Sequence, residues 1–487
     1  MTVAPSATRG SVAASALYRR LLWATLLLSA VVFYWGLGDI ALMSFNEARR
    51  AIPASGMFTS GDWLLPRING ELYLSKPPLL YWLAAIFAQL FGAANEWAVR
   101  LPSALAASLI VWACYRYALR VFGAWSALFT VQLLLANAGF AMFARRAEIE
   151  MLLAALCSGA LLAAWHYTRG DGGRGWLRLS YLLLGLAVLT KGPLALLFVT
   201  LPLLVIALYR RGPRDWDAVR DPLGWAVFLL VGLSWYVAVT WQLGFDIWLS
   251  TINKDMVGKM HGAGSEPFYS YVLWLLADFF PVGLLLLVRP LSTLRRWKTS
   301  DDCVALLLAV AVPLLLYTLF SDKHAKYLLP IYPLLALLLG KRLEEMLEQA
   351  GAGLRRLLLA LGILLPLGYA SFYAFGEARI FDYRISVFPQ FEQWLRTAPA
   401  VPLYGYQNLD ERLLYYAQRD IPMLDATALQ RMRNDKVTLL LLVEHARIAE
   451  VRPQADCQIE SFSPYLKKHK SLAVFGFGQV CEQAGHS

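Results

Sequence analysis

The stretch from Ser44 to Trp82 reads SFNEARRAIPASGMFTSGDWLLPRINGELYLSKPPLLYW. It follows one apolar run, Leu21 to Gly38, and leads into another that begins at Pro78. Between them lie paired charges, a Gly-Asp-Trp turn and a Lys-Pro-Pro break. Charged residues kept beside an apolar crossing are costly unless they are paired or functional, so this loop is the first place to look for chemistry.

Working outward, 58% of the 487 residues are hydrophobic and the mean hydropathy is +0.49. Soluble domains hold roughly 45–50% apolar residues, and a helix crossing a bilayer needs about 20 in a row. The chain is therefore expected to be an α-helical polytopic membrane protein. Apolar runs are found at residues 21–38, 98–115, 124–143, 151–167, 177–189, 194–209, 223–243, 271–288, 304–320, 327–340 and 357–375, which makes eleven expected spans. Gly and Pro breaks leave room for one or two more. The run Pro78 to Phe91 is short for a crossing and suits an interfacial or re-entrant helix.

Loop charge sets the expected orientation, because cytoplasmic loops carry an excess of Lys and Arg. If Pro78 to Phe91 does not cross, one side collects Arg19, Arg20, Arg116, Arg120, the 169–178 and 210–220 loops, and the basic stretches at 289–298 and 341–356. That side is expected to be the cytoplasm, with the N-terminal tail 1–20. The opposite side then receives the 44–97 loop, Arg145 to Glu150, Lys191, the 251–270 loop, Ser321 to Lys326 and everything after Phe375. The net charge of +11 is accounted for by cations flanking spans, so it does not argue for nucleic acid.

Beyond the spans of the 21–378 region, residues 390–487 alternate short strand-like runs (VPLYGY, TLLLLVE, SLAVFGFG) with amphipathic helical patterns. A small extracytoplasmic α/β domain is expected there. Cys114, Cys157 and Cys303 lie in or beside apolar runs and read as packing residues. Cys457 and Cys481 share the terminal domain; an oxidising compartment permits a bond between them, and spacing alone leaves it open.

Several polar clusters carry the candidate chemistry. Asn46 and Glu47 sit just after the first span as catalytic candidates, with Arg49 beside them as a candidate substrate contact; the competing reading of Asn46 and Glu47 is a capping pair at the start of a helix that runs through Arg49. Lys76 is held extended by Pro77 and Pro78, a placement suited to a phosphate contact, although a lysine snorkelling to the surface explains it too. Arg145 and Arg146 suit phosphate oxygens, while Glu148 and Glu150, two apart, are not expected to share a helix face or a site. Lys191, alone between two short spans, needs an anionic partner or an aqueous cavity. Lys323, His324, Lys326 and Tyr327 form a further cationic junction. His261, Glu266 and Tyr269 lie in a Gly- and aromatic-bearing loop that reads as a lid or as an ordinary mobile loop.

In order along the chain, NEARR, SGDWLLPRINGELYLSKPPLLYW, RRAEIEMLL, LTKGPLALL, EPFYSY and SDKHAKYLLPIYP resemble the GT-C superfamily of polyprenyl-phosphate-sugar glycosyltransferases, within it the protein mannosyltransferase and aminoarabinose transferase group. The resemblance runs from about Leu21 through Ala378. It implies a GT-C-like helical domain, an active site open to the periplasm, and a sugar donor linked to undecaprenyl phosphate in the bacterial inner membrane. The acceptor would be lipid A, another glycolipid or a protein. Lys76 and the lysines of SDKHAKY become donor-phosphate candidates, and Lys191 matches the family's Thr-Lys-Gly element.

This chain departs from the family in carrying Asn46-Glu47 where an Asp-Glu pair is common, and Ser75-Lys76-Pro77 where aminoarabinose transferases have Glu-Lys-Pro. A hydroxyl acceptor benefits from a positioned base, whereas a phosphate acceptor is already anionic. The departures thus leave three readings, in order: Glu47 or Glu150 serves as base, the acceptor is a phosphate or carboxylate, or transfer has been lost. No cofactor is required by the residues; some relatives use a divalent cation, and here lysines stand where a metal would neutralise phosphate. A non-catalytic carrier-binding or transport protein on the same scaffold is the alternative, disfavoured because no internal repeat is evident. The sequence leaves the oligomeric state open.

Overall fold

A computed structural model describes residues 16–251, 253, 266–288, 290–381 and 386–484. The chain forms two compact units. One comprises Met1–Trp35, Leu74–Leu83 and Arg100–Ala374; the other Gly36–Tyr73, Ala84–Val99 and Phe375–Ser487. The outer-loop segments thus group with the terminal region, an arrangement that the linear order of the chain does not give.

Among the described residues of the chain, six helices are long and apolar enough to cross a membrane: Ala16–Tyr34, Glu96–Val121, Ile149–Thr168, Arg174–Arg210, Asp301–Thr318 and Ala352–Phe381. Two bent pairs, Ala124–Leu135 with Ala138–Ala144 and Pro213–Gly232 with Ser234–Leu243, raise the number to eight if each is one span. The eleven expected runs are apolar as read, but several are cut into pieces. The runs at 177–189 and 194–209 share the stretch Arg174–Arg210, interrupted by a 3₁₀ turn at Gly192–Leu194. The run at 271–288 is a nine-residue helix, Ser270–Asp278, followed by a 3₁₀ turn, and that at 327–340 begins as a 3₁₀ turn before the helix Tyr332–Gln349. The helix Leu79–Phe91 has 13 residues, too few to cross, as its sequence implied.

Buried polar groups in the helical unit mark breaks and close approaches. Asn137 is fully buried and accepts from the Phe140 amide at 2.7 Å, so it caps the helix Ala138–Ala144 and fixes the 70° bend before it. Gly340 lets Tyr332–Gln349 approach Ala124–Leu135: a Cβ there would lie 2.3 Å from Thr130 Oγ1 and 2.8 Å from the Ser126 carbonyl. Small residues at such contacts let helices pack backbone to backbone. Gly340→Val is therefore expected to lower stability by about 1–3 kcal/mol through overpacking. Thermal unfolding of the purified protein checks this, and an unchanged midpoint would contradict the close approach.

In the second unit, the helix Phe45–Ser60 starts at Ser44, whose hydroxyl accepts from the Glu47 amide, and stops at Gly61 with φ 74°. The hairpin β1 (Arg67–Ile68) to β2 (Glu71–Leu72) turns on Asn69 and Gly70, both at positive φ. Asn-Gly is the residue pair that a two-residue turn of this hand favours. The terminal region builds a five-stranded sheet from β3 (Leu403–Tyr406), β4 (Met423–Leu424), β5 (Leu439–Glu444), β6 (Cys457–Phe462) and β7 (Leu472–Phe477). The order is β4-β3-β5-β7-β6; β3 is parallel to β4 and β5, and β7 is antiparallel to β5 and β6. Tyr406, Leu441, Val443 and Phe475 lie in its core. The possibility left open for the cysteines is realised, since Cys457 and Cys481 form a disulfide.

Candidate active site

In the helical unit, polar groups gather where three helices begin or end. Ala138–Ala144 stops at Arg145, Ile149–Thr168 starts from Glu148, and Lys191 closes the helix Arg174–Lys191 before the Gly192–Leu194 turn. Lys191 Nζ lies 3.4 Å from Glu150 Oε1, and its ammonium sits 4.9 Å above the Tyr327 ring. Lys326 Nζ reaches both carboxylates, at 3.2 Å from Glu148 Oε2 and 3.6 Å from Glu150 Oε1. Both glutamates are buried.

This corrects the expectation that only one of the two carboxylates would face a given site. That expectation assumed both lie on a helix. Glu148 is the residue before the helix, with extended backbone (φ −121°, ψ 147°), so its side chain is freed from helical spacing. The need of Lys191 for an anionic partner is met by Glu150. Removing two charges from water is expensive, and the alternation of two ammonium groups with two carboxylates offsets that cost.

The two arginines beside the cluster differ. Arg145 is buried; its Nη1 donates to the Val32 carbonyl at 3.1 Å and its guanidinium stacks 4.4 Å from the Tyr373 ring. Arg146 is half-buried, and no ion pair or side-chain hydrogen bond engages its guanidinium among the described residues. Lys76, also half-buried, donates to the Ser75 carbonyl at 2.9 Å.

The residues of the Ser321–Pro330 junction diverge. Lys323 is buried and donates to the Glu266 carbonyl at 3.1 Å, tying two sequence-predicted segments together. His324 stands 3.4 Å from Asp322 and edge-on to Tyr327 at 5.1 Å. The Glu266 carboxylate accepts from Ser270 Oγ at 3.4 Å, Tyr269 is exposed, and His261 lies outside the described residues.

In the other unit Glu47 is fully buried, and its Oε2 accepts from the Met43 amide at 2.6 Å. The helix is capped by Ser44 together with Glu47 and not by the expected pair Asn46–Glu47; Asn46 is half-buried in the first turn. Arg49, singled out for substrate, donates through Nε and Nη2 to Glu411 Oε1 at 2.8 and 2.6 Å. Glu411, Arg412 and Tyr416, which engage this loop, were not singled out from the sequence. Their run, ERLLYYAQR, reads as an ordinary amphipathic helix, and nothing local signals a partner more than 360 residues away.

The chain is a helical membrane protein with a buried cation–carboxylate cluster and a small α/β terminal region. Residues 75–241 match the family model of dolichyl-phosphate-mannose-protein mannosyltransferase. Among relatives, the chain is 32% identical over 355 residues to an undecaprenyl phosphate-alpha-4-amino-4-deoxy-L-arabinose arabinosyl transferase 2 of Pseudomonas fluorescens, covering 68% of this chain and 62% of the relative. It is also 32% identical over 373 residues to the corresponding transferase of Pseudomonas paraeruginosa, covering 72% of this chain and 66% of that one. The chain thus spans less than two thirds of the length of these curated relatives. Its fold is similar to that of ArnT from Cupriavidus metallidurans bound to undecaprenyl phosphate, with TM-score 0.76, 20% identity, and 95% and 98% of the two chains covered. A more distant likeness, TM-score 0.58 at 12% identity over 89% of this chain and 70% of the other, is to the archaeal oligosaccharyltransferase AglB from Archaeoglobus fulgidus. The chain is thus similar in sequence to aminoarabinose transferases and in fold to ArnT. It is a multi-pass protein of the bacterial inner membrane.

Proposed function

We propose that the chain transfers a sugar, aminoarabinose first among candidates, from undecaprenyl phosphate to an envelope acceptor on the periplasmic face, with lipid A the favoured acceptor. The observation that carries this reading is the pairing of Lys191 and Lys326 with Glu148 and Glu150 beside Arg146. Cations held in place before any ligand arrives need little reorganisation when negative charge develops on a leaving phosphate. Arg146, whose guanidinium meets no ion pair or side-chain hydrogen bond among the described residues, is the group best able to bind phosphate oxygens bidentately. The names of the relatives support a donor of this kind.

In this reading the acceptor attacks the anomeric carbon, the bond to the carrier phosphate breaks, and the released phosphate keeps the electron pair. Glu47 takes the acceptor's proton. Lys76 and the lysine cluster bear on the departing phosphate, and the two glutamates hold the lysines in position. The test is purified protein in proteoliposomes, given undecaprenyl phosphate-linked aminoarabinose and lipid A. Mass spectrometry is expected to show glycosylated lipid A with the native chain and at least tenfold less with Arg146→Gln. Donor bound without any product would favour the non-catalytic alternative.

A further inference from the structure

The sheet order of the terminal region places β3 between its two parallel neighbours. The chain leaves β3 for β4 on one side and returns to β5 on the other, so the winding reverses between β3 and β5. In open α/β sheets, ligands bind outside the carboxyl ends of the strands at such a point. Here the carboxyl end of β3 leads into the helix Glu411–Ala417, and the Asp410 amide before it donates to Glu444 Oε1, at the end of β5, at 2.6 Å.

What this crevice holds is the chain's own outer loop. Tyr416 Oη accepts from the Leu42 amide at 2.8 Å, and Arg412 Nη1 donates to the Met43 carbonyl at 3.0 Å. Arg49 pairs with Glu411 one turn into the loop's helix. Tyr416 also donates to Glu96 Oε1 at 2.6 Å, which fixes its hydroxyl. Arg412 is fixed in turn by Asp410, Nε to Oδ1 at 2.9 Å, and by the Phe388 ring at 4.6 Å. Burial pushes the Asp410 carboxyl up, but the hydrogen bonds and charge of Arg412 outweigh it and hold it below the usual range. A depressed carboxyl stabilises the fold above its unfolded pKa and loses that contribution as pH falls through its folded value, so the grip is complete at neutral pH. Leu42 and Met43 are thus held from both sides, and the Met43 amide is the group that donates to Glu47 Oε2.

We propose that the helix Glu411–Ala417 is a positioning clamp for the Glu47 carboxylate, with Arg412 and Tyr416 as positioning residues acting through the Leu42–Met43 backbone. This deepens the reading of Glu47 as base and rests on it. It gives the terminal domain a task in the reaction: orienting a group that another segment of the chain supplies. A carboxylate displaced by about 1 Å can lose on the order of 100-fold in rate.

The test uses the full chain in proteoliposomes with the same donor and lipid A, comparing native protein with Glu47→Gln, Tyr416→Phe, Arg412→Gln and Arg412→Lys. Tyr416→Phe and Arg412→Gln are expected to lower kcat about 10–100-fold with KM within about twofold, and to displace the pH–rate profile. Arg412→Lys, which keeps a donor for the Met43 carbonyl, should recover part of kcat. If Glu47→Gln is inactive while Tyr416→Phe folds with native kcat and an unmoved pH profile, the clamp is overturned and the base survives. If Glu47→Gln turns over normally, the base reading fails and takes the clamp with it. Should Arg412→Gln not fold, Tyr416→Phe, which removes one oxygen, decides alone.

Discussion

Glu47→Gln is expected to lower sugar transfer by about 10²–10⁴-fold, the loss typical of removing a general base, with the fold intact. Glutamine has the shape of glutamate and can still accept from the Met43 amide, which now reaches Glu47 Oε2 at 2.6 Å. The bond from the Glu47 amide to Ser44 Oγ belongs to the backbone and is untouched. Stability and activity are thus separated by this one change. Turnover measured beside thermal unfolding checks it; near-normal turnover would remove Glu47 as base and favour an acceptor that is already anionic.

Lys326→Met has the second large expected effect, this time on the fold. The ammonium lies within 3.6 Å of both Glu148 and Glu150, and both carboxylates are buried. Methionine fills similar space but leaves Glu148 without this ammonium and Glu150 with Lys191. Breaking a buried pair by removing one partner costs about 3–5 kcal/mol. The double variant Lys326→Met/Glu148→Gln is expected to regain part of that loss, and the cycle isolates the coupling between the two residues. Denaturant unfolding of the purified protein reads both. A single variant as stable as the native chain would show that the cluster does not hold these helix ends.

Much of the helical architecture is legible in the sequence because bilayer crossing imposes a length and an apolarity that single residues cannot hide. The breaks are less legible. Asn137 caps a helix in the middle of an apolar run, and only its position in the fold shows that it ends one segment and starts another. Lys191 could be read as a charge in need of a partner because no other charge is near it in sequence. Its partner Glu150 lies 41 residues away, and the sharing of Lys326 with Glu148 depends on the extended backbone at Glu148. The outer loop announced itself through charge beside an apolar run. The residues that grip it, Arg412 and Tyr416, did not, because a hydrogen bond to a distant backbone amide or carbonyl leaves no mark on local pattern.

Mass spectrometry of envelope glycolipids tests the central claim of sugar transfer most directly. Matched cells would lack the protein, be restored with it, or be restored with Lys76→Ala. A sugar-sized mass is expected to disappear on deletion, return with the native chain and stay absent with Lys76→Ala. Identical glycolipid profiles in all three, with no lipid-linked sugar accumulating on deletion, would contradict transfer to an envelope glycolipid.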